Sequence, residues 1–199
     1  MLTLTFAWSG IKTSHFQSIP DKYLVSLLVA VRNEESNLAQ LFNHIEALNI
    51  DSGRLQCTFI DDHSEDQSLS MLENYRTQSR FVVMVQSLQQ SNGKKAALRE
   101  GLTLCKGDLV ICTDADCNFA PEWVDQHIQS HLAGAKLSSA PVRFAPAGNF
   151  FQRLMQLEFM GLISAGGASL RLGWNLMANG ANISFDRLAY QEIREQQKG

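Results

Sequence analysis

The segment Leu24-Val-Ser-Leu-Leu-Val-Ala-Val31 is an almost unbroken apolar run of strand length. A strand with one wet face alternates apolar and polar side chains. A strand that is apolar at nearly every position is buried on both faces, which calls for helices above and below its sheet. The following chain supplies them. Leu38, Leu41, Phe42, Ile45 and Leu48 recur at helical spacing and form one apolar stripe. A second strand runs from Leu55 to Ile60, a third is Phe81-Val-Val-Met-Val85, and a fourth spans Asp108 to Thr113. Between them, Ser64 and Gln67 form a capping-box pattern ahead of a helix carrying Leu69, Leu72 and Tyr75. Leu98, Leu102 and Cys105 mark another helix, and Pro121 suits the first turn of one that reaches Leu132. Strand and helix thus alternate, the pattern of an α/β fold with a mostly parallel sheet and helices on both faces.

The last third breaks the alternation. Ser138 to Phe144 reads as a strand, and Pro141 puts it at an edge. Phe150 to Ala165 reads as an apolar helix ended by Gly166-Gly167. Leu176 to Phe185 is mixed, with a bend at Gly180, and Asp186 is placed to cap a final helix reaching Gln196. The 199 residues are 45% hydrophobic and 19% charged, which is globular and sufficient for one sizeable core. A net charge of -3 lacks the basic excess of a nucleic-acid binder. The four cysteines, Cys57, Cys105, Cys112 and Cys117, are too few for a disulfide scaffold and read as reduced thiols. No stretch approaches the ~20 apolar residues of a membrane span, and Met1 to Ala7 lacks the features of a signal peptide.

Polar clusters close three of the strands. The first ends in Val31-Arg32-Asn33-Glu34, the second in Asp61-Asp62 and the fourth in Asp114-Ala115-Asp116. Parallel strands end along one edge, and open α/β sheets bind ligands there, where strand order reverses. If the first and fourth strands are neighbours, the three clusters meet. Two aspartates spaced two apart on an extended backbone face the same way and repel each other without a cation. Such oxygen ligands suit Mg²⁺ or Mn²⁺. Ser91-Asn92-Gly93-Lys94-Lys95 precedes the third helix, where backbone amides and lysines favour an anion. Neither a P-loop nor a Gly-x-Gly-x-x-Gly run is present. His127 and His131 have a spacing that zinc sites use, but no Glu follows His127, so they read as an ordinary helix face. Cys112 and Cys117 read as small packed side chains.

At these residues the chain resembles family 2 glycosyltransferases, inverting enzymes with a GT-A fold. The motifs are Val31-Arg-Asn-Glu-Glu35, Phe59-Ile-Asp-Asp-His-Ser64 with Asp66, Asn92-Gly-Lys-Lys-Ala-Ala-Leu98, Asp114-Ala-Asp116 and Gly180-Ala-Asn182. They occur in the family's order, across Leu24 to Tyr190, and look most like membrane-associated bacterial members. The resemblance implies that Val31, Arg32, Asn33, Glu34 and Asp62 border the nucleotide base. Lys94 or Lys95 would lie near the base or diphosphate. Asp114 would reach the ribose or metal, Asp116 would hold the metal, and Gly180, Ala181 and Asn182 would line the sugar and acceptor side. Mg²⁺ or Mn²⁺ is the implied cofactor. A UDP-sugar is the favoured donor, and a carbohydrate or lipid-linked molecule is the acceptor.

The family's later Glu-Asp base and its Gln-x-x-Arg-Trp motif do not occur before Gly199. The general base is therefore unassigned, with Glu158 and Asp186 as available carboxylates. The expectation is a catalytic domain over 24–199, cut short at its C-terminal end, behind an extension of 1–23. Within it, 24–133 would bind nucleotide and 134–199 would form part of the acceptor half. A full-length protein would sit on the cytoplasmic face of a membrane, and Leu154 to Leu172, with Arg153 and Arg171 beside it, could rest on a membrane surface. Two other readings remain: a nucleotide-sugar-binding module without complete chemistry, and a nucleotidyltransferase. The latter is disfavoured because no glycine follows the first strand in Val31 to Asn37.

Overall fold

The computed structural model of the chain describes residues 18–20, 22–89, 92–142, 148–174 and 180–196. The strands are β1 (Val25–Val31), β2 (Leu55–Asp61), β3 (Val82–Ser87), β4 (Leu109–Asp114), β5 (Leu137–Ser139) and β6 (Asn182–Asp186). The helices are α1 (Glu35–Glu46), α2 (Ser68–Gln78), α3 (Lys94–Leu104), α4 (Trp123–Leu132), α5 (Phe150–Arg171) and α6 (Arg187–Gln196). All six strands join one sheet in the order β3-β2-β1-β4-β6-β5. The first four are parallel, and β6 runs antiparallel to both β4 and β5.

The apolar run that becomes β1 is buried on both faces, as its composition requires. Its odd-numbered residues Val25, Leu27, Val29 and Val31 join Leu38, Leu41 and Ile45 of α1, Leu72 and Tyr75 of α2, and Val124 and Ile128 of α4. Leu28 faces the other way and packs with Ile60, Val110, Cys112 and Ala97 of α3. Gly101 lets α3 lie against that face, because a Cβ there would collide with the side chains of Leu28 and Ile60. Below it, Ser26 donates to Gln56 Oε1 at 3.1 Å, which also accepts the Lys106 N–H at 3.0 Å. The Gly107 N–H reaches Ser26 Oγ at 2.9 Å. That buried polar group fixes the turn from α3 into β4.

Three local expectations change. The capping box does not form: Ser64 Oγ accepts from Asn33 on the neighbouring loop, and the Ser68 N–H is taken by Asp66 Oδ1 at 2.9 Å. Gly166-Gly167 does not end α5, which continues to Arg171. Gly166, Ala168 and Ser169 are buried, so the small side chains serve close packing there. The strand expected over Ser138 to Phe144 is confined to β5, and Arg143 and Phe144 lie outside the described residues. So do Ser91, Leu176, most of the extension over 1–23 and the side chain of Arg171. β5 is at the sheet's edge, as Pro141 demands. Asp186 caps α6 as expected, its Oδ1 accepting the Ala189 N–H at 2.9 Å.

Candidate active site

The parallel register brings the strand ends together. Val31 pairs with Asp61, and Ala30 pairs with Asp114. β1 and β4 are neighbours, while β2 and β3 lie on the other side of β1, so strand order reverses between β1 and β4.

Two left-handed residues shape the loops above β1 and β2: Asn33 (φ 54°) and His63 (φ 58°). Asn and His tolerate that conformation better than most side chains. The turns they make bring the loops side by side, where they cross-bond. The Asp62 N–H donates to Val31 O at 2.8 Å. The Asn33 N–H reaches Ser64 Oγ at 3.0 Å, and the Glu65 N–H reaches Asn33 Oδ1 at 2.8 Å. At the start of α1, the Glu34 N–H bonds Ser68 Oγ at 2.8 Å and the Glu35 N–H bonds Asp66 Oδ2 at 3.1 Å. Helix-start amides need partners from outside the helix, and here the next loop provides them. Asn33 and Asp66 thus build the rim with their side chains, and Glu34 accepts from Asn37 Nδ2 at 2.6 Å.

From this base a polar chain crosses the sheet edge. Asp62 is 3% exposed. Its Oδ2 accepts the Gly93 N–H at 2.9 Å and lies 3.7 Å from Arg32 Nη1, and its Oδ1 meets His63 Nδ1 at 3.1 Å. Burial works to raise the Asp62 pKa, but the Gly93 N–H, His63 and Arg32 outweigh it and hold the carboxyl below its ordinary value. The Gly93 bond anchors the entry to α3, where φ is 92° and no side chain caps the helix. The next residue, Lys94, forms an ion pair with Asp114 at the end of β4. Residues of β1, β2, α3 and β4 are therefore linked in one line: Arg32, Asp62, Gly93, Lys94, Asp114. Lys95 is exposed and forms no ion pair among the described residues.

Beyond Asp114 the chain leaves the strand in a turn, with the Cys117 N–H bonding Asp114 O at 3.2 Å. The relation between Asp114 and Asp116 is thus set by a turn and not by extended backbone, which corrects the sequence argument. Asp116 is exposed on that turn. Thr113 pairs with Asn182, and Thr113 Oγ1 donates to Ala181 O at 3.0 Å, so Gly180-Ala181-Asn182 does border the aspartate turn. The Asn182 side chain is held from within: Trp123 Nε1 and His127 Nε2 converge on its Oδ1 at 3.0 and 2.9 Å. His127 Nδ1 meets Ser184 Oγ at 2.8 Å. His127 is buried, and that burial lowers its pKa against the Asn182 bond. It is a neutral anchor for β6 and no metal ligand. Nothing in the sequence signals this, because its partners lie 55 and 57 residues away. Cys112 has its pKa pushed up to about 12, first by burial, which keeps it a neutral thiol.

Asp186 lies at the other end of the strands from the rim. It pairs with Leu109 at the start of β4, the opposite sheet edge from Asp114. There it binds Lys136 Nζ at 2.8 Å and His131 Nε2 at 2.9 Å. Burial favours its neutral form, but Lys136, the Ala189 N–H and His131 hold it well below the carboxylate range. Glu158 is exposed on α5. A cavity of about 460 Å³ also opens near the strand starts, lined in part by Arg54, Arg80 and Asp125. Its arginines already bind backbone carbonyls, Arg54 those of Tyr23 and Pro20, and Arg80 those of Ile50 and Leu48.

Among the described residues no cluster of three or more metal-ligating side chains occurs. Mg²⁺ and Mn²⁺ are commonly held by one or two carboxylates completed by substrate phosphates. The oxygen donors of Asp114 and Asp116 at an open rim fit that pattern.

A family model, Glycosyl transferase family 2, matches residues 26–194, which contain every rim residue described above. The chain belongs to that family. The family 2 chain is 32% identical over 112 residues to an undecaprenyl-phosphate 4-deoxy-4-formamido-L-arabinose transferase of Pseudomonas aeruginosa, covering 56% of this chain and 33% of the relative. It is 32% identical over 138 residues to a beta-monoglucosyldiacylglycerol synthase of Trichormus variabilis, covering 67% of this chain and 29% of the relative. The matches thus span about a third of these relatives. Among solved structures, it is similar to a mannosyltransferase from Pyrobaculum calidifontis in complex with GDP-Man and Mn²⁺, with TM-score 0.71 and 18% identity, over 96% of this chain and 54% of that one. That likeness shows the GT-A fold.

Proposed function

We propose that this family 2 chain binds a nucleotide-diphosphate sugar at the β1–β4 crevice and transfers the sugar to an acceptor hydroxyl with inversion. The observation that carries this reading is the unbroken line Arg32, Asp62, Gly93, Lys94, Asp114 at the point where strand order reverses, with Asp116 exposed beside it. Val31 to Glu34 and Asp62 would border the base. The uncapped start of α3 with Lys94 and Lys95 would face the diphosphate, where helix-end amides and ammonium groups stabilise negative charge on the departing nucleotide. Asp114 and Asp116 would hold Mg²⁺ or Mn²⁺, which as a Lewis acid would supply further charge stabilisation at the phosphates. Gly180, Ala181 and Asn182 would bound the sugar and acceptor side, held there by Thr113, Trp123 and His127. Back-side attack by the acceptor oxygen would invert the anomeric centre.

The acceptor we propose is lipid-linked. By their names, relatives act with undecaprenyl phosphate and make a glucosyldiacylglycerol. We place the protein at the cytoplasmic face of a membrane; the side chains of α5 support a membrane contact, since Phe150, Phe151, Leu154, Leu157 and Met160 are all more than half exposed. Calorimetric titration of UDP, GDP and dTDP with Mn²⁺ and then with EDTA tests the donor site. Metal-dependent binding is expected, strongest for UDP, and equal affinity in EDTA would remove the assignment.

A further inference from the structure

We infer that Lys94 competes with the divalent cation for Asp114, so that metal binds the empty site weakly and the nucleoside diphosphate recruits it by drawing Lys94 away. This rests on the donor-site reading above and adds an order and a coupling to it. Asp114 is one of the two carboxylates that reading gives to the metal, yet its Oδ1 already carries an ammonium. A dication arriving there meets a positive charge in contact with its ligand, and the two repel. The lysine can leave. Its side chain is 52% exposed, whereas the Asp114 side chain is 32% exposed at the end of a paired strand. The backbone beneath it cannot, because the Gly93 N–H is tied to buried Asp62. The moving part is therefore the flexible stem of Lys94, at the first residue of α3. A diphosphate at that uncapped helix start offers the ammonium a stronger partner than one carboxylate. Moving the lysine onto the phosphates frees Asp114 as the phosphate oxygens become available to the metal. Metal and nucleotide then bind cooperatively, and each raises the other's affinity by the same factor.

The test uses the 199-residue chain. Free Mn²⁺ is measured by electron paramagnetic resonance without nucleotide and with the tightest binder among UDP, GDP and dTDP. Lys94→Met, with Lys94→Gln alongside, should bind Mn²⁺ alone at least about five-fold more tightly than wild type, while its Mn²⁺–nucleotide coupling shrinks by a similar factor. Lys95→Met removes the same charge one residue away; it should weaken nucleotide binding but shift the affinity for Mn²⁺ alone by less than about two-fold, as screened exposed charges do. Unchanged or weaker Mn²⁺ binding in both Lys94 variants overturns the competition. So does an equal gain in Lys95→Met, which would make the effect a general field. If wild type binds neither Mn²⁺ nor any of the nucleotides, the donor-site reading itself fails. If it binds both and Lys94 is inert, only the competition does.

Discussion

Asp62 and Asp116 carry the same side chain into opposite surroundings, and substitution should separate them. Asp116 is exposed and its turn is held by backbone, so Asp116→Asn should abolish metal-dependent nucleotide binding and leave the melting temperature unchanged. A fall in melting temperature would make it a structural turn residue instead. Asp62 is buried, accepts from the Gly93 N–H, meets His63 and forms an ion pair with Arg32. Asp62→Asn should cost about 1–2 kcal/mol, the range for hydrogen bonds to a charged group with partly exposed partners. Its folded-state pKa is depressed, so its stabilisation is complete above the unfolded value near pH 4 and is lost as pH falls through the lower folded value. Urea titrations at neutral pH and in acid should show the wild type and Asp62→Asn converging in acid, and a constant gap would contradict the linkage. Both aspartates were legible in the sequence because their motifs are local. The support beneath them was not, since Asn33 bonds Ser64 and Glu65 across 31 and 32 residues and no spacing rule reports that.

Among the elements, α3 joins the site to the core most directly. It begins at Lys94, directly after Gly93, and its interior lies against β1 and β2 through Gly101. Gly101→Ala would press a methyl group into Leu28 and Ile60, and overpacking of this kind costs about 1–3 kcal/mol. Displacing α3 also moves Lys94 and the helix-start amides from where the diphosphate would lie, so nucleotide affinity should fall together with the urea midpoint. A variant that loses stability but keeps wild-type nucleotide affinity would show that the helix shifts without carrying its first turn. The elements themselves were readable wherever one period dominated: β1 to β4 and α1 to α4 follow the apolar pattern within a few residues. The pattern misled where small residues have two uses. Gly166-Gly167 reads as a stop in sequence, yet Gly166 is buried beside Ala168 and Ser169, and Ser169 Oγ bonds back to Gly166 O at 2.7 Å within a continuing helix. β6 was not legible as a strand between β4 and β5, because its pairing depends on the His127 and Trp123 contacts to Asn182.

At the scale of the whole molecule, β1, β2, β4 and helices α1 to α4 bury apolar side chains in the core, whereas α5 buries residues only over its last turns. Exposure along it runs from 82% at Phe150 to 49% at Met155, with Leu154, Leu157, Met160 and Leu162 between. Monomeric soluble proteins rarely leave so many large apolar side chains of one helix uncovered. Among the described residues no helix is long and apolar enough to cross a membrane, and the membrane contact proposed for α5 is an interfacial one. Arg153 is exposed among these residues and forms no ion pair among the described residues, which favours an anionic head group as its neighbour. Burying half-exposed leucines and phenylalanines in acyl chains contributes about 1 kcal/mol each, since full burial is worth about 1.5–3. Several such residues make binding measurable. In a flotation gradient the protein should rise with vesicles containing phosphatidylglycerol and much less with phosphatidylcholine alone. Leu154→Glu with Leu157→Glu should abolish flotation in both cases, because it places two charges in the apolar layer. Arg153→Glu should weaken flotation with anionic vesicles and leave the neutral ones unaffected. All three substitutions fall outside the rim residues, so nucleotide binding serves as the control for folding. Protein that stays at the bottom of the gradient with anionic vesicles, while still binding nucleotide, would show that α5 meets some other surface.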